Sequence, residues 1–152
     1  IEASARIPGS RSKIALISTS PQIDAIGAIV GVKGVRINAV SKELSGENID
    51  CIEYSSVPEM FIARALSPAL VNSVKIEEYP KNGEKGKAIV TINSEQKSKA
   101  IGKAGLNIRL ASMLTKYDIE IVEIETGITA SNSETKKDEK ITDASSLEAL
   151  FK

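Results

Sequence analysis

Two short segments bracketed by glycines contain the residues of this chain that are best placed to do chemistry. They are Gly31-Val32-Lys33-Gly34 and Gly102-Lys103-Ala104-Gly105, so the second begins 71 residues after the first. At such a turn between two helices, glycine lets a nucleic-acid strand approach the backbone, and the following helix presents unpaired N–H groups to a phosphate. Both segments therefore predict a phosphate-binding loop, and the lysine in each one adds positive charge.

The recurrence of this GxxG pattern is more specific than either copy alone. A single copy is common and usually marks an ordinary turn between helices, but here each copy precedes helical apolar spacing and then an alternating strand. A GxxG loop that clamps about four nucleotides of a single strand is characteristic of the KH domain. The predicted nucleic-acid contacts are the loops and the first turns after them: Gly31, Val32, Lys33, Gly34, Arg36, Gly102, Lys103, Ala104, Gly105, Asn107 and Arg109.

The composition excludes several other kinds of site. The chain has no histidine and a single cysteine, so histidine-based catalysis and histidine- or cysteine-rich metal sites are ruled out. Its carboxylates are scattered without an evident catalytic arrangement. We therefore expect no enzyme, no metal and no cofactor. No segment resembles a membrane span or a signal peptide, which predicts a cytoplasmic protein.

The charge is distributed unevenly although the formal net charge is zero. Residues 1–117 contain 16 Lys and Arg against 11 Asp and Glu, whereas residues 118–152 contain 4 against 9. The excess of cations is greatest in residues 81–117, around the second GxxG loop. A polyanion is the partner that such a surface suits, although on charge alone a solvated lysine-rich face is the more common explanation.

Periodicity and turn residues predict two units of similar order. In the first, a hairpin of residues 2–6 and 13–18 precedes a helix that Ser20 caps and Pro21 opens, ending at Val30. A second helix at 35–44 and a strand at 49–54 follow the loop. The second unit has the order αββααβ, with elements at 58–67, 74–79, 87–92, 94–101, 106–116 and 119–124. Apolar helix positions such as Ile29, Val40, Leu110 and Leu114 are expected in the core.

Several longer segments resemble the tandem KH domains of the NusA family of bacterial transcription factors. They are RIPGSRSKIA at residues 6–15, DAIGA at 24–28 with the first GxxG loop, FIARALSPA at 61–69 and AIGKAGLNIRLA at 100–111. The resemblance covers residues 1 to about 125. Two positions depart from the family pattern: Ala104 stands where glycine is frequent, and Val35 replaces a small hydroxylated residue.

The resemblance implies an α+β fold (an α/β sandwich) of two tandem type II KH domains, each with a three-stranded sheet packed on helices. The first domain would span residues 1–56 without its opening helix, and the second residues 57–125. The implied partners are single-stranded RNA of the nascent transcript, RNA polymerase through the full-length protein, and other Nus-type factors. The oligomeric state is left open by the sequence, with a monomer as the default expectation. The implied role is in transcription elongation, termination and antitermination.

The end of the chain has a different composition. Residues 126–152 are mostly polar and are expected to be disordered, with a short terminal helix as one possibility. Two alternatives to the NusA reading remain at this point. The chain could be a KH module of another RNA-binding protein, ribosomal or GTPase-linked, or a protein-interaction scaffold with degenerate KH loops.

Overall fold

The computed structural model describes residues 1–125 and contains six strands and five α-helices in that range. The first half has β1 (Ala3–Ile7), β2 (Arg11–Leu16), α1 (Ala25–Val30), α2 (Val35–Glu43) and β3 (Asn48–Glu53). The second half has α3 (Pro58–Ala65), β4 (Ser73–Glu78), β5 (Gly86–Asn93), α4 (Lys97–Ile101), α5 (Leu106–Thr115) and β6 (Tyr117–Ile124). The predicted αββααβ order of the second unit is confirmed. The predictions for residues 126–152 lie outside the described residues.

Each half forms a three-stranded sheet of the same topology. The strand orders are β1-β2-β3 and β4-β5-β6, and in each sheet the first pair is antiparallel and the second parallel. A parallel pair needs a long crossover between its strands. The crossovers here are the helix pairs α1–α2 and α4–α5, so each GxxG segment lies at the middle of a crossover, where two helices meet.

The prediction for the start of the first helix was wrong. The helix begins at Ala25 rather than at Pro21, because Asp24 is the capping residue and its Oδ1 accepts a hydrogen bond of 3.1 Å from the Gly27 amide. The Ser20 carbonyl instead accepts from the Ile23 amide in a turn. Serine followed by proline suits a turn as well as a helix start, so the local sequence did not distinguish them.

One hydrophobic core extends across both halves. It includes Ala5, Ala15 and Ile52 from the first sheet together with residues of α3, α5 and the second sheet. The reason is that α5 packs on β1 and β2 as well as on α3 and β6. Leu110 and Leu114 on α5 are buried as predicted. The two sheets are therefore held by shared packing rather than by a flexible connection.

The helices of the first half are much less buried than expected. Neither α1 nor α2 contains a buried residue, and the predicted core residues Ile29 and Val40 are 41% and 48% exposed. The difference from α5 is one of neighbours: within residues 1–125, α2 contacts β3 and α1, whereas α5 lies between two sheets and α3. Apolar spacing identified the helices correctly but not their surroundings.

A buried carboxylate joins the end of β1 and the β1–β2 turn to the start of β3. Glu47 is fully buried and accepts from Arg6 Nε at 2.8 Å, Arg6 Nη2 at 2.9 Å and the Gly9 amide at 3.0 Å. The hydrogen bond from Arg6, with that from the Gly9 amide, lowers the pKa of Glu47 to about 2 against the effect of burial. The β1–β2 turn is thereby fixed beside the strand that follows the first loop.

Candidate nucleic-acid interface

The two GxxG loops have the same backbone conformation despite their different sequences. Gly31 has φ 81° and ψ 171°, and Gly102 has φ 78° and ψ 170°. At the third loop position Lys33 has φ 55° and ψ 26°, and Ala104 has φ 56° and ψ 23°. The loops are one-turn 3-10 segments, Val32–Gly34 and Lys103–Gly105, and each one leads directly into the next helix. The sequence repeat therefore corresponds to a structural repeat.

Each loop begins at a glycine because no other residue fits there. A Cβ on Gly31 would lie 2.8 Å from Arg36 Cγ, and one on Gly102 would lie 2.7 Å from Asn107 Cβ and 2.8 Å from its backbone nitrogen. The φ and ψ of both glycines also fall in a region that is essentially restricted to glycine. This glycine sets the sharp change of direction between the two helices. The amides of Val35 and Leu106, with which α2 and α5 begin, donate to the Val32 and Lys103 carbonyls, so they are not the unpaired groups that the sequence predicted.

The lysines of the two loops occupy different positions. Lys33 is the third residue of its loop and Lys103 is the second of its own, and both are exposed. The position equivalent to Lys103 is occupied in the first loop by Val32, which is 81% exposed. Arg109, one turn further on, is also exposed. The second loop thus combines cationic and open surface, while the first presents one cation beside an apolar side chain.

Arg36 and Asn107 occupy equivalent positions and make equivalent contacts. Arg36 Nη1 donates to the Ala28 carbonyl at 2.9 Å, and Asn107 Nδ2 donates to the Lys99 carbonyl at 3.0 Å. Both side chains therefore reach back to the helix before the loop and satisfy a carbonyl that has no partner within that helix. Arg36 remains exposed.

Asn107 was predicted to contact nucleic acid, but the structure places its side chain inside the fold. The residue is 4% exposed, and its Nδ2 atom also lies 3.0 Å from the Ala100 carbonyl and 3.1 Å from the Leu66 carbonyl. Its amide group is not accessible to a ligand. The residue instead holds the end of α4 and the end of α3 against the start of α5.

A shallow apolar groove adjoins the first loop's helix. It has a volume of about 320 Å³ and lies between α1, β3 and the residues that follow α3. Its apolar lining includes Ile26, Cys51, Ile52, Ala63, Pro68 and Leu70. The groove therefore has contributions from both halves of the chain.

Comparison with known proteins identifies the two halves. Residues 1–54 match the NusA-like first KH domain, and residues 58–127 match the NusA-like second KH domain. The chain belongs to the NusA family. It is 47% identical to the transcription termination/antitermination protein NusA of Helicobacter pylori, in an alignment 165 positions long that covers 97% of this chain. It is 50% identical over 125 residues, or 82% of its length, to the protein of that name from Thermus thermophilus.

The chain spans 42% of the Helicobacter pylori protein and 31% of the Thermus thermophilus protein. Among solved structures, the crystal structure of APE1850 has a TM-score of 0.54 with 24% sequence identity, covering 76% of this chain and 79% of that one. That likeness concerns the fold alone. In the described residues no helix is long and apolar enough to cross a membrane.

Ala104 adopts a left-handed conformation, with φ 56° and ψ 23°, that is unfavourable for alanine. A left-handed conformation costs a non-glycine residue about 1–2 kcal/mol, and glycine loses about 0.4–1 kcal/mol more chain entropy than alanine on folding. We therefore expect Ala104→Gly to raise the free energy of unfolding by about 0.5–1 kcal/mol, measured by urea denaturation.

Ala39 provides the matched control, because it is an exposed alanine on α2 with ordinary helical geometry. Ala39→Gly should lower the free energy of unfolding by about 0.8–1 kcal/mol. A loss of similar size from both substitutions would mean that Ala104 is not strained in solution.

Proposed function

We propose that this chain binds single-stranded RNA of the nascent transcript through two KH domains, residues 1–56 and 57–125, as part of a NusA-type elongation, termination and antitermination factor. The observation that carries the proposal is the identical backbone of the two GxxG loops, each with an exposed lysine beside the start of a helix. Every loop would hold about four nucleotides.

Different parts of the protein would contact the phosphates and the bases of the RNA. Phosphates would lie against the backbone of the two loops, with charge supplied by Lys33, Arg36, Lys103 and Arg109. Val32 and Ala104 would pack against the RNA strand, and its bases would enter the apolar groove. Asn107 is a support for the second loop in this proposal rather than a contact residue.

The second loop should dominate the affinity. The salt-dependent part of the RNA affinity increases with the number of phosphates that Lys and Arg side chains neutralise. The second loop has Lys103 and Arg109 on its exposed surface, with Lys99 at the end of the preceding helix. The first has Lys33 and Arg36, and the latter already donates to a carbonyl.

The wider role is part of the same proposal. The chain would act in the cytoplasm as a monomeric, non-enzymatic module, reaching RNA polymerase through the full-length protein and meeting other Nus-type factors there. A protein-interaction role is the second candidate for the first domain alone, because Val32 and Val35 are 81% and 67% exposed beside its loop.

The test is fluorescence anisotropy with labelled single-stranded RNA pools at low and physiological salt. Lys103→Asp with Ala104→Asp should weaken binding by about tenfold or more, because the new carboxylates repel phosphate. Val32→Asp with Lys33→Asp should have a smaller effect. Circular dichroism of each variant is the check that the fold is retained.

The β4–β5 turn offers a closely matched control. Lys81 and Asn82 also form a lysine followed by a residue in the left-handed region, with φ 53° at Asn82. Lys81→Asp with Asn82→Asp makes the same change in net charge away from both loops. If this control lost as much affinity as the second-loop variant, RNA binding would depend on overall charge rather than on the loops. The proposal itself would be contradicted if the parent chain did not bind RNA.

A further inference from the structure

We propose that Lys13 is a positioning residue that couples the two RNA-binding loops by fixing the first sheet to the end of α3, from which the second loop is held. The inference presupposes the RNA-binding function proposed above. It concerns a residue that is far from either loop in sequence, and it explains why a lysine occupies a core position.

Lys13 lies in the interior with both of its partners in direct contact. Its side chain is fully buried, and its Nζ atom lies 2.9 Å from Asp50 Oδ2 and 2.9 Å from the Ser67 carbonyl. Asp50 belongs to β3 of the first half, whereas Ser67 follows α3 of the second half. The ammonium group therefore bridges the two halves through one ion pair and one hydrogen bond.

The carbonyl that Lys13 reaches is next to one that supports the second loop. Leu66 and Ser67 follow the last residue of α3, where helix carbonyls lack partners within the helix. The Leu66 carbonyl accepts from Asn107 Nδ2 at 3.1 Å. The same amide group holds the Lys99 and Ala100 carbonyls just before Gly102. A short series of polar contacts thus leads from Asp50 through Lys13 and the end of α3 to the second loop.

Stability alone does not require a lysine here. Replacing a buried ion pair by apolar groups is often neutral or favourable, so a well-packed apolar side chain could fill this space. Apolar packing is not directional, so it would not fix the position of the Ser67 carbonyl relative to β2. The two polar contacts of 2.9 Å that Lys13 makes do fix it. Loss of Lys13 also leaves Asp50 paired, because Arg11 Nε and Nη2 donate to it at 2.8 and 2.9 Å.

Loss of Lys13 should affect the binding of long RNAs and short RNAs differently. Two sites on one strand bind with an added gain that depends on their fixed separation. If Lys13 fixes that separation, Lys13→Met should leave the affinity for a five-nucleotide RNA unchanged and weaken binding of a 20-nucleotide RNA by about tenfold. Lys75→Met removes the same charge from an exposed position on β4 and should change neither.

Binding of the two RNAs separates the possible results. Selective loss with the long RNA supports the proposal, and equal changes with both RNAs overturn it. If the parent chain binds neither RNA, the proposed function has failed, and the coupling is then decided by a measurement that needs no RNA.

That measurement is the distance between spin labels on cysteines introduced at Lys42 and Ser98, both exposed, in a Cys51→Ala background. The parent should give one narrow distance distribution, and Lys13→Met should broaden it. An unchanged distribution would overturn the proposal. If Lys13→Met does not fold, Lys13→Arg serves instead, because it keeps the charge but replaces the compact ammonium group by a larger planar guanidinium, which changes the geometry of both contacts. Broadening by this variant supports the proposal, and an unchanged distribution overturns it.

Discussion

Asn107→Asp should lower the free energy of unfolding by about 3–5 kcal/mol although it only replaces the side-chain amide NH2 group by an oxygen atom. The substitution removes the donor that serves the Leu66, Lys99 and Ala100 carbonyls. It also places a carboxylate, at a site that is 4% exposed, among oxygen atoms that repel it. A buried acceptor that loses its donor costs about 1–3 kcal/mol, and an unpaired buried charge costs more.

The pH dependence of this variant follows from the same contacts. Burial should raise the pKa of the introduced carboxyl group, so the folded state would bind a proton more readily than the unfolded state does. The stability deficit should then be smallest below the ordinary pKa of an aspartate, about 3.9, and should grow as the pH rises above it. Urea denaturation at several pH values measures this.

Asn38→Asp is the control, because Asn38 is exposed on α2. It should change the unfolding free energy by about 0.5 kcal/mol or less. If Asn107→Asp were equally mild, the side chain would have to leave the interior in solution, and its assignment as a contact residue for RNA would become the better one.

Much of the fold could be predicted because its signals are local. Strand alternation and the repeated GxxG pattern depend on neighbouring residues, and the structure confirms the resulting order of elements. The matching conformation of the loops follows from that repeat as well. The non-glycine residues Lys33 and Ala104 share one left-handed position, which shows that the two sequences specify one backbone geometry.

The predictions that failed depend on contacts between distant residues. Whether Val40 is buried depends on what covers α2, and the role of Asn107 depends on the end of α3, 41 residues earlier. Lys13 gave no local signal of its burial, because it alternates with the larger apolar residues Ile14 and Leu16, and this alternation places it on the opposite face of β2. The burial of that face, with Lys13 and Ala15 on it, depends on the second half of the chain.

Gly102→Ala should cost about 3 kcal/mol or more of unfolding free energy and should remove RNA binding by the second domain. Two effects add. The conformation at φ 78° and ψ 170° is strained by roughly 1–3 kcal/mol for any other residue. The new Cβ would also lie 2.8 Å from the backbone nitrogen of Asn107, so the start of α5 has to shift and the loop's amides move with it.

Gly105→Ala distinguishes these two effects within the same loop. Gly105 has φ 74° and ψ 12°, the left-handed region that Ala104 already occupies, and nothing lies within 4 Å of a Cβ built on it. It should therefore cost only about 0.5–1 kcal/mol, the left-handed strain less the chain entropy that alanine saves, and RNA affinity should change much less. Urea denaturation and RNA anisotropy of both variants give the comparison. Equal costs would mean that the close approach of Gly102 to Asn107 is relieved in solution, and that the first glycine of the loop is required for its dihedral angles alone.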